Sequence, residues 1–212
     1  MKITKFGHCC LLIEISGTRI LTDPGNFTTA QDELKNFDLL LITHEHQDHF
    51  HLDSVKKILA NNPGVPIITN SAVGALLDKE GIKHQIVAEG QQTNFKNIPI
   101  EGFGHEHATI YQDYGKVENT GYFIDNKLFY PGDAFTDPGK QVEILALPAG
   151  GPWMKASEAI DYAKKLKPKK AFPVHDGMFL PHANFTVMLM KGFLAQDGIE
   201  FTPIEINKET EL

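Results

Sequence analysis

Along the first quarter of the chain, apolar and polar residues alternate in short runs. "KITKFG", "CCLLIEI" and "RILTD" read as strands, and the polar turn "SGT" joins the second to the third as an antiparallel hairpin. "FDLLLIT" breaks this rhythm: a continuous apolar run of that length suits a strand covered on both faces. Leu52, Val55, Ile58 and Leu59 then recur at helical spacing until "NNPG" stops them, "VPIITN" reads as a strand, and a second helix opens on Ser71 and closes near Gly81. Further strands are expected at "KHQIV", "IPIEGF", "TGYFI", "KLFY" and "VEILALP", with turns at "DN" and "PGD" between some of them. Ala159, Ile160, Ala163 and Leu166 mark a helix face, "AFPVH" another strand, and "TVMLMKGFLAQDG" a last helix that ends at a glycine. Strands followed by helices, and then the same again, predict an internal pseudo-duplication. Two mixed sheets should face each other with helices outside, in one domain spanning residues 1–212.

Composition narrows the partners. A chain of 212 residues with 42% hydrophobic content can bury one substantial core, and no linker-like or low-complexity tract divides it. Lys and Arg total 20 against 27 Asp and Glu, a net charge of −7, so a nucleic-acid backbone would meet net repulsion. The densest basic stretch, "KKLKPKK" from Lys164 to Lys170, reads as a solvated helix end complementing the helix dipole. Cys9 and Cys10 are neighbours in a strand, point to opposite faces and are expected to be free thiols. "MKITKFGHCCLLIE" lacks the apolar centre of a signal peptide, and nowhere do about 18 apolar residues run together as a membrane span needs. A reducing cytoplasm is the expected compartment.

The chemistry concentrates in "LLLITHEHQDHFHLD", residues 39–53, where His44, His46, His49 and His51 follow directly on the apolar strand. In an extended segment His44 and His46 project to the same side, and Asp48 and His49 follow where the chain can turn into a helix. Imidazole and carboxylate donors suit Zn²⁺ and similar divalent ions, whereas a thiolate site would need cysteines that are not in place here. More such residues follow other predicted strands. Asp23 follows "RILT", His105 and His107 follow "IPIEGFG", Asp133 follows "KLFYPG" and His175 follows "KAFPV". Metal-type residues after nearly every strand are expected to converge on one rim of the sheets.

"THEHQDH" resembles the H-x-H-x-D-H signature of the metallo-β-lactamase superfamily, and the order of Asp23, signature, mid-chain histidine, Asp133 and His175 matches that family over essentially the whole chain. The resemblance implies an α+β fold, a four-layer αββα sandwich, with a one- or two-metal centre at its edge. It implies that His44, His46 and the mid-chain histidine hold one ion, that Asp48, His49 and His175 hold the other, and that Asp133 bridges them. Asp23 would support the loop rather than touch metal. "GHEHAT" offers two mid-chain candidates: His107, which precedes Ala108, is preferred, and His105 is the alternative. "FGHCCLLIE" with "RILTDP" resembles the branch that includes ascorbate-6-phosphate lactonase and N-acyl-phosphatidylethanolamine phospholipase D. His8 matches the histidine of that branch's opening, either approaching the cleft or holding a strand start.

The implied cofactors are two divalent ions, Zn²⁺ first, with Mn²⁺, Fe²⁺ and Ni²⁺ also suited to the donor set. Two ions bring about +4, and two carboxylates with a bridging hydroxide remove about three, leaving about +1 to favour an anionic transition state. The expected reaction is attack of metal-activated water on an ester, lactone or phosphodiester bond of a small, in one reading anionic, substrate. Asp48 and Asp133 are the catalytic candidates, Asp48 orienting the water and taking its proton, Asp133 holding the metals apart. The rivals are a mononuclear iron persulfide dioxygenase and a non-catalytic metal-bound scaffold. A flavodiiron enzyme would carry glutamate where this chain has His46. Trp153 and Lys155 in "GGPWMK" have two readings, ordinary packing at a helix start or an aromatic wall beside a cation flanking the cleft, while His51 and His182 are expected to be peripheral.

Overall fold

A computed structural model describes residues 1–180 and 184–212. His182 lies outside the described residues. In chain order the elements are β1 (Lys2–Gly7), β2 (Cys10–Ile15), β3 (Thr18–Thr22), β4 (Leu39–Leu41), α1 (Leu52–Asn61), β5 (Ile67–Thr69), α2 (Ser71–Lys79), β6 (Gln85–Ile86) and β7 (Gln92–Phe95). They continue with β8 (Ile98–Phe103), β9 (Gly121–Ile124), β10 (Leu128–Tyr130), β11 (Ile144–Pro148), α3 (Ala156–Leu166), β12 (Lys170–Val174), α4 (Phe185–Ala195), β13 (Glu200–Phe201) and β14 (Glu209–Glu211).

The strands form two mixed sheets of the same design. In the first, β14, β1, β2 and β3 pair antiparallel and β3, β4, β5 and β6 pair parallel. In the second, β7, β8, β9 and β10 pair antiparallel and β10, β11, β12 and β13 pair parallel. The pseudo-duplication expected from the alternation is therefore present, with β14 returning from the end of the chain to complete the first sheet.

Strand side chains alternate between layers. Ile20, Leu39 and Leu41 point into the core between the sheets with Ile100, Tyr122, Tyr130 and Phe172, while Leu21 and Leu40 turn outward to Val55, Ile58, Val73 and Leu77 of α1 and α2. On the far side Leu145, Leu147 and Ala171 pack on Ala159, Ala163, Met190 and Leu194 of α3 and α4. The result is the expected four-layer αββα sandwich. Cys9 faces the inter-sheet core and Cys10 the helix layer, and both are free.

Three strands escape the sequence pattern. β7 alternates exposed Gln92 and Asn94 with half-buried Thr93 and Phe95, and β13 and β14 carry only Phe201 as a buried apolar residue. Their backbones pair because a neighbouring strand presents free N–H and C=O groups, a cause that side-chain periodicity does not record. "KHQIV" narrows to the two residues of β6 for the same reason. No helix among the described residues is long and apolar enough to cross a membrane.

Candidate metal centre

The parallel strands end on one rim. Asp23 follows β3, His44 follows β4, Asp133 lies just beyond β10 and His175 follows β12, the edge where α/β sheets present ligand-binding loops. The β1–β2 turn adds His8 and the β8–β9 connection adds His107. His8, Asp23 and His175 all adopt positive φ, at 47°, 38° and 56°, a strained backbone that over-determined functional loops tolerate.

The loop after β4 is held by close backbone contact. A Cβ on Gly25 would lie 1.8 Å from the Asp48 carbonyl oxygen, so only glycine lets "DPG" pass beneath the histidine loop. On the facing sheet Gly132 takes φ +64° and a Cβ there would meet Asn119 Oδ1 at 2.2 Å. That same Asn119 oxygen accepts from the Asp133 N–H at 3.0 Å.

Two histidine-rich groups face each other. His44, His46 and His107 bring their ligand atoms within 4.8 Å of one another, as do His8, Asp48, His49 and His175. Asp133 lies between the groups. Its Oδ2 is 3.2 Å from His107 Nε2 and 2.8 Å from His175 Nε2, and its Oδ1 is 3.1 Å from His49 Nε2. The structure thus gathers all of His44, His46, Asp48, His49, His107, Asp133 and His175. It does not gather His105, which is exposed and lies 3.9 Å from Glu118. His51, at the start of α1, pairs instead with Ser54 Oγ at 3.0 Å.

Four of the imidazoles, those of His44, His49, His107 and His175, are oriented by the outer nitrogen. His49 Nδ1 donates to Asp23 at 2.7 Å, His107 Nδ1 to the Ala108 carbonyl and His175 Nδ1 to the Gly150 carbonyl, both at 2.5 Å, and His44 Nδ1 pairs with Thr43 Oγ1 at 3.0 Å. The Nε2 atoms of His44, His49 and His175, and Asp133 Oδ1, are buried without a hydrogen bond in proper alignment, close as some of them lie. Buried polar atoms are rarely left so, because the desolvation cost is several times a net hydrogen bond. Groups of imidazole and carboxylate donors within 4.8 Å of one another, several of their atoms left unbonded, fit cations.

The electrostatics point the same way. Burial, and then the neighbouring imidazoles, push His44 and His46 below the ordinary histidine range. Burial opposes charge on Asp48 and Asp133, but the facing histidines outweigh it and hold both carboxyls well below their usual range. Burial likewise disfavours protonated His49 and His175, yet the acids around them prevail, and His175 is raised to about 10. The buried Asp133 and the partly exposed Asp48 thus favour positive charge on His49 and His175.

A family model described as a β-lactamase superfamily domain matches residues 2–175. The chain belongs to the metallo-β-lactamase superfamily. Protein Rv0786c of Mycobacterium tuberculosis is 35% identical over 188 residues, covering 86% of this chain and 87% of that protein. A UPF0173 metal-dependent hydrolase of Ligilactobacillus salivarius is 30% identical, covering 85% and 87% of the two chains. Among solved structures, Igni18, a metallo hydrolase from the archaeon Ignicoccus hospitalis, shares the fold with a TM-score of 0.77 at 22% identity, over 100% of this chain and 98% of its own.

Within this superfamily fold, the supporting residues were the harder ones to foresee. Asp23 behaves as the resemblance implied, accepting from the Thr43 N–H and hydroxyl at 2.8 and 2.7 Å, His49 at 2.7 Å and the Tyr130 hydroxyl at 2.6 Å. Thr43 and Tyr130 gave no sequence signal beyond their places at strand ends. Of the two readings of Trp153, packing before the start of α3 is the one observed: it is buried, and its Nε1–H donates to Asp133 Oδ2 at 2.9 Å. Lys155 is exposed at the start of α3, 3.9 Å from Glu158. The aromatic–cation wall therefore does not form, because the indole is needed to orient a buried carboxylate.

Proposed function

We propose that the protein is a metal-dependent hydrolase with a binuclear centre, acting on an ester, lactone or phosphodiester bond of a small substrate, with residues 1–212 working as one domain. The observation that carries this reading is the set of inward-facing, unpartnered Nε2 atoms arranged on both sides of Asp133. The family membership and the metal-dependent hydrolase among its relatives support it.

His44, His46 and His107 would hold one ion, Asp48, His49 and His175 the other, and Asp133 would serve both through its two oxygens. Zn²⁺ suits these nitrogen and oxygen donors best, and Mn²⁺, Fe²⁺ and Ni²⁺ are the alternatives. When bound, such ions polarise the scissile oxygen and lower the pKa of water toward neutrality. Asp48 is the only partly exposed carboxylate of the set, so it is the group able to orient a water and accept its proton. His8 steadies Asp48: the Gly177 N–H donates to His8 Nδ1 at 3.2 Å, which leaves the proton on Nε2, 3.1 Å from Asp48 Oδ2. Trp153 fixes Asp133 in the same way. His175 occupies a position set by the Gly150 carbonyl, so its Nε2 is presented without rotamer freedom.

The test is metal analysis of the purified protein with a panel of lactones, carboxylic and thioesters and phosphodiesters, run beside His46→Ala. Loss of metal and at least a hundredfold loss of turnover are expected in the variant. A His46→Ala protein with full metal content and full activity would sink the assignment. Iron alone, with oxygen consumed on a persulfide, would replace it by the dioxygenase reading.

A further inference from the structure

Beside the metal centre runs a cleft of about 1270 Å³ between the β1–β2 turn, the segment after β12 and α4. Phe27, Phe179, Phe185, Met188 and Ile206 line it together with His8. No lysine or arginine lines it among the described residues. Its two carboxylates are already engaged, Asp176 with buried Lys5 and Glu205 with Lys208. His8 offers no free polar atom either, since one ring nitrogen accepts from Gly177 and the other faces Asp48. What it presents to the cleft is ring surface, with the Phe27 ring centroid 4.5 Å away.

We propose that this cleft receives an uncharged apolar arm of the substrate, of medium-chain acyl or aromatic type, with the scissile bond placed at the Asp48 side of the metal centre. The inference rests on the hydrolase reading above and names its substrate class. Three observations favour this occupant. The cleft, at about 1270 Å³, is somewhat larger than the ~300–1,000 Å³ typical of small-molecule sites and so has room for such an arm. It comes within one side chain of the centre: His8 lines the cleft, its Nε2 is 3.1 Å from Asp48 Oδ2, and its ring centroid lies 4.1 Å from that of the tilted His175 ring. Among the described residues its lining offers no lysine or arginine of the kind a phosphate or an anionic lipid headgroup would require. The open apolar side chains, Phe185 at 75% exposure and Met188 at 64%, then have a use as its outer lips.

The experiment uses the metal-loaded full chain and a series of 4-nitrophenyl esters from acetate to octanoate, together with titration of a neutral fluorescent probe, N-phenyl-1-naphthylamine, into metal-loaded and metal-free protein. KM should fall by up to about fourfold per added methylene until the cleft is filled. The probe should bind both forms, and octanoate should compete with it. Met188→Glu and Phe27→Ser should weaken the probe at least tenfold and flatten the chain-length series, whereas Phe193→Glu, on α4 but outside the cleft, should change neither. A KM independent of chain length, or probe binding indifferent to Met188→Glu and Phe27→Ser, would overturn the inference. So would a dimer that Met188→Glu dissolves in a protein that binds no probe, since the surface would then be an interface between copies. Failure to hydrolyse any ester, with metal bound, would tell against the hydrolase reading instead, and the probe titration would then decide the cleft by itself.

Discussion

At the scale of single residues, Asp23 and the histidines divide the work between support and reaction. Asp23 is fully buried and takes four donors, among them His49, so it fixes both the loop and one candidate ligand. Asp23→Asn keeps the shape but turns an acceptor into a donor that faces donors. It should cost about 2 kcal/mol of stability in urea unfolding and lower metal affinity on the order of tenfold to a hundredfold. Unchanged affinity in a chelator competition would show that Asp23 serves the fold only. The histidines and aspartates were legible in the sequence because titratable residues after apolar strands are chemically conspicuous. Trp153 was legible only as an aromatic, since whether an indole walls a cleft or donates to a carboxylate depends on where its N–H points.

At the scale of elements, the two halves of the fold put one position to different uses. Asn70 follows β5 as His175 follows β12, each at the carboxyl end of the same strand in its sheet. His175 supplies a candidate ligand, whereas Asn70 caps α2 by accepting from the Val73 N–H at 3.1 Å and ties it down by donating to the carbonyls of Thr43 and Glu118 at 2.9 and 3.1 Å. Asn70→Ala removes a cap and two buried hydrogen bonds and should lower stability by about 2 kcal/mol, measured by thermal or urea unfolding. Metal content should be retained once the protein is folded, which separates this variant from Asp23→Asn. Loss of metal at full stability would mean that the α2 start is part of the centre. The parallel strands β4 and β11, buried throughout, and β12, buried after Lys170, announced themselves as continuous apolar runs. The edge strands β7 and β14 did not, because they are held by backbone pairing and carry mostly polar side chains.

At the scale of the whole molecule, the charges gathered on the rim make stability depend on pH in both directions when no metal is bound. Burial lowers His8 to about 4, against about 6.5 in an unfolded chain. The unfolded state therefore binds more protons between those values, and stability falls as the pH drops through them. The depressed Asp48 and Asp133 add a further loss below the ordinary carboxylate range. His175, raised to about 10, works oppositely: its contribution is complete below about 6.5 and is lost as the pH climbs through 10. Chelator-treated protein should thus show its highest Tm near pH 6.5 and a decline on either side, and metal should remove the alkaline decline by taking the place of the His175 proton. A metal-free Tm that stays level from pH 6.5 to 10 would contradict this balance. The sequence by itself determined the layers and the kinds of donor, because burial periodicity and residue chemistry are local properties written along the chain. Only the tertiary structure brought His107, and not His105, beside His44 and His46, turned Trp153 inward and opened the apolar cleft beside His8. Those outcomes depend on which side chains meet when strands far apart in sequence end on one rim, and on which of their hydrogen-bonding atoms are already spoken for.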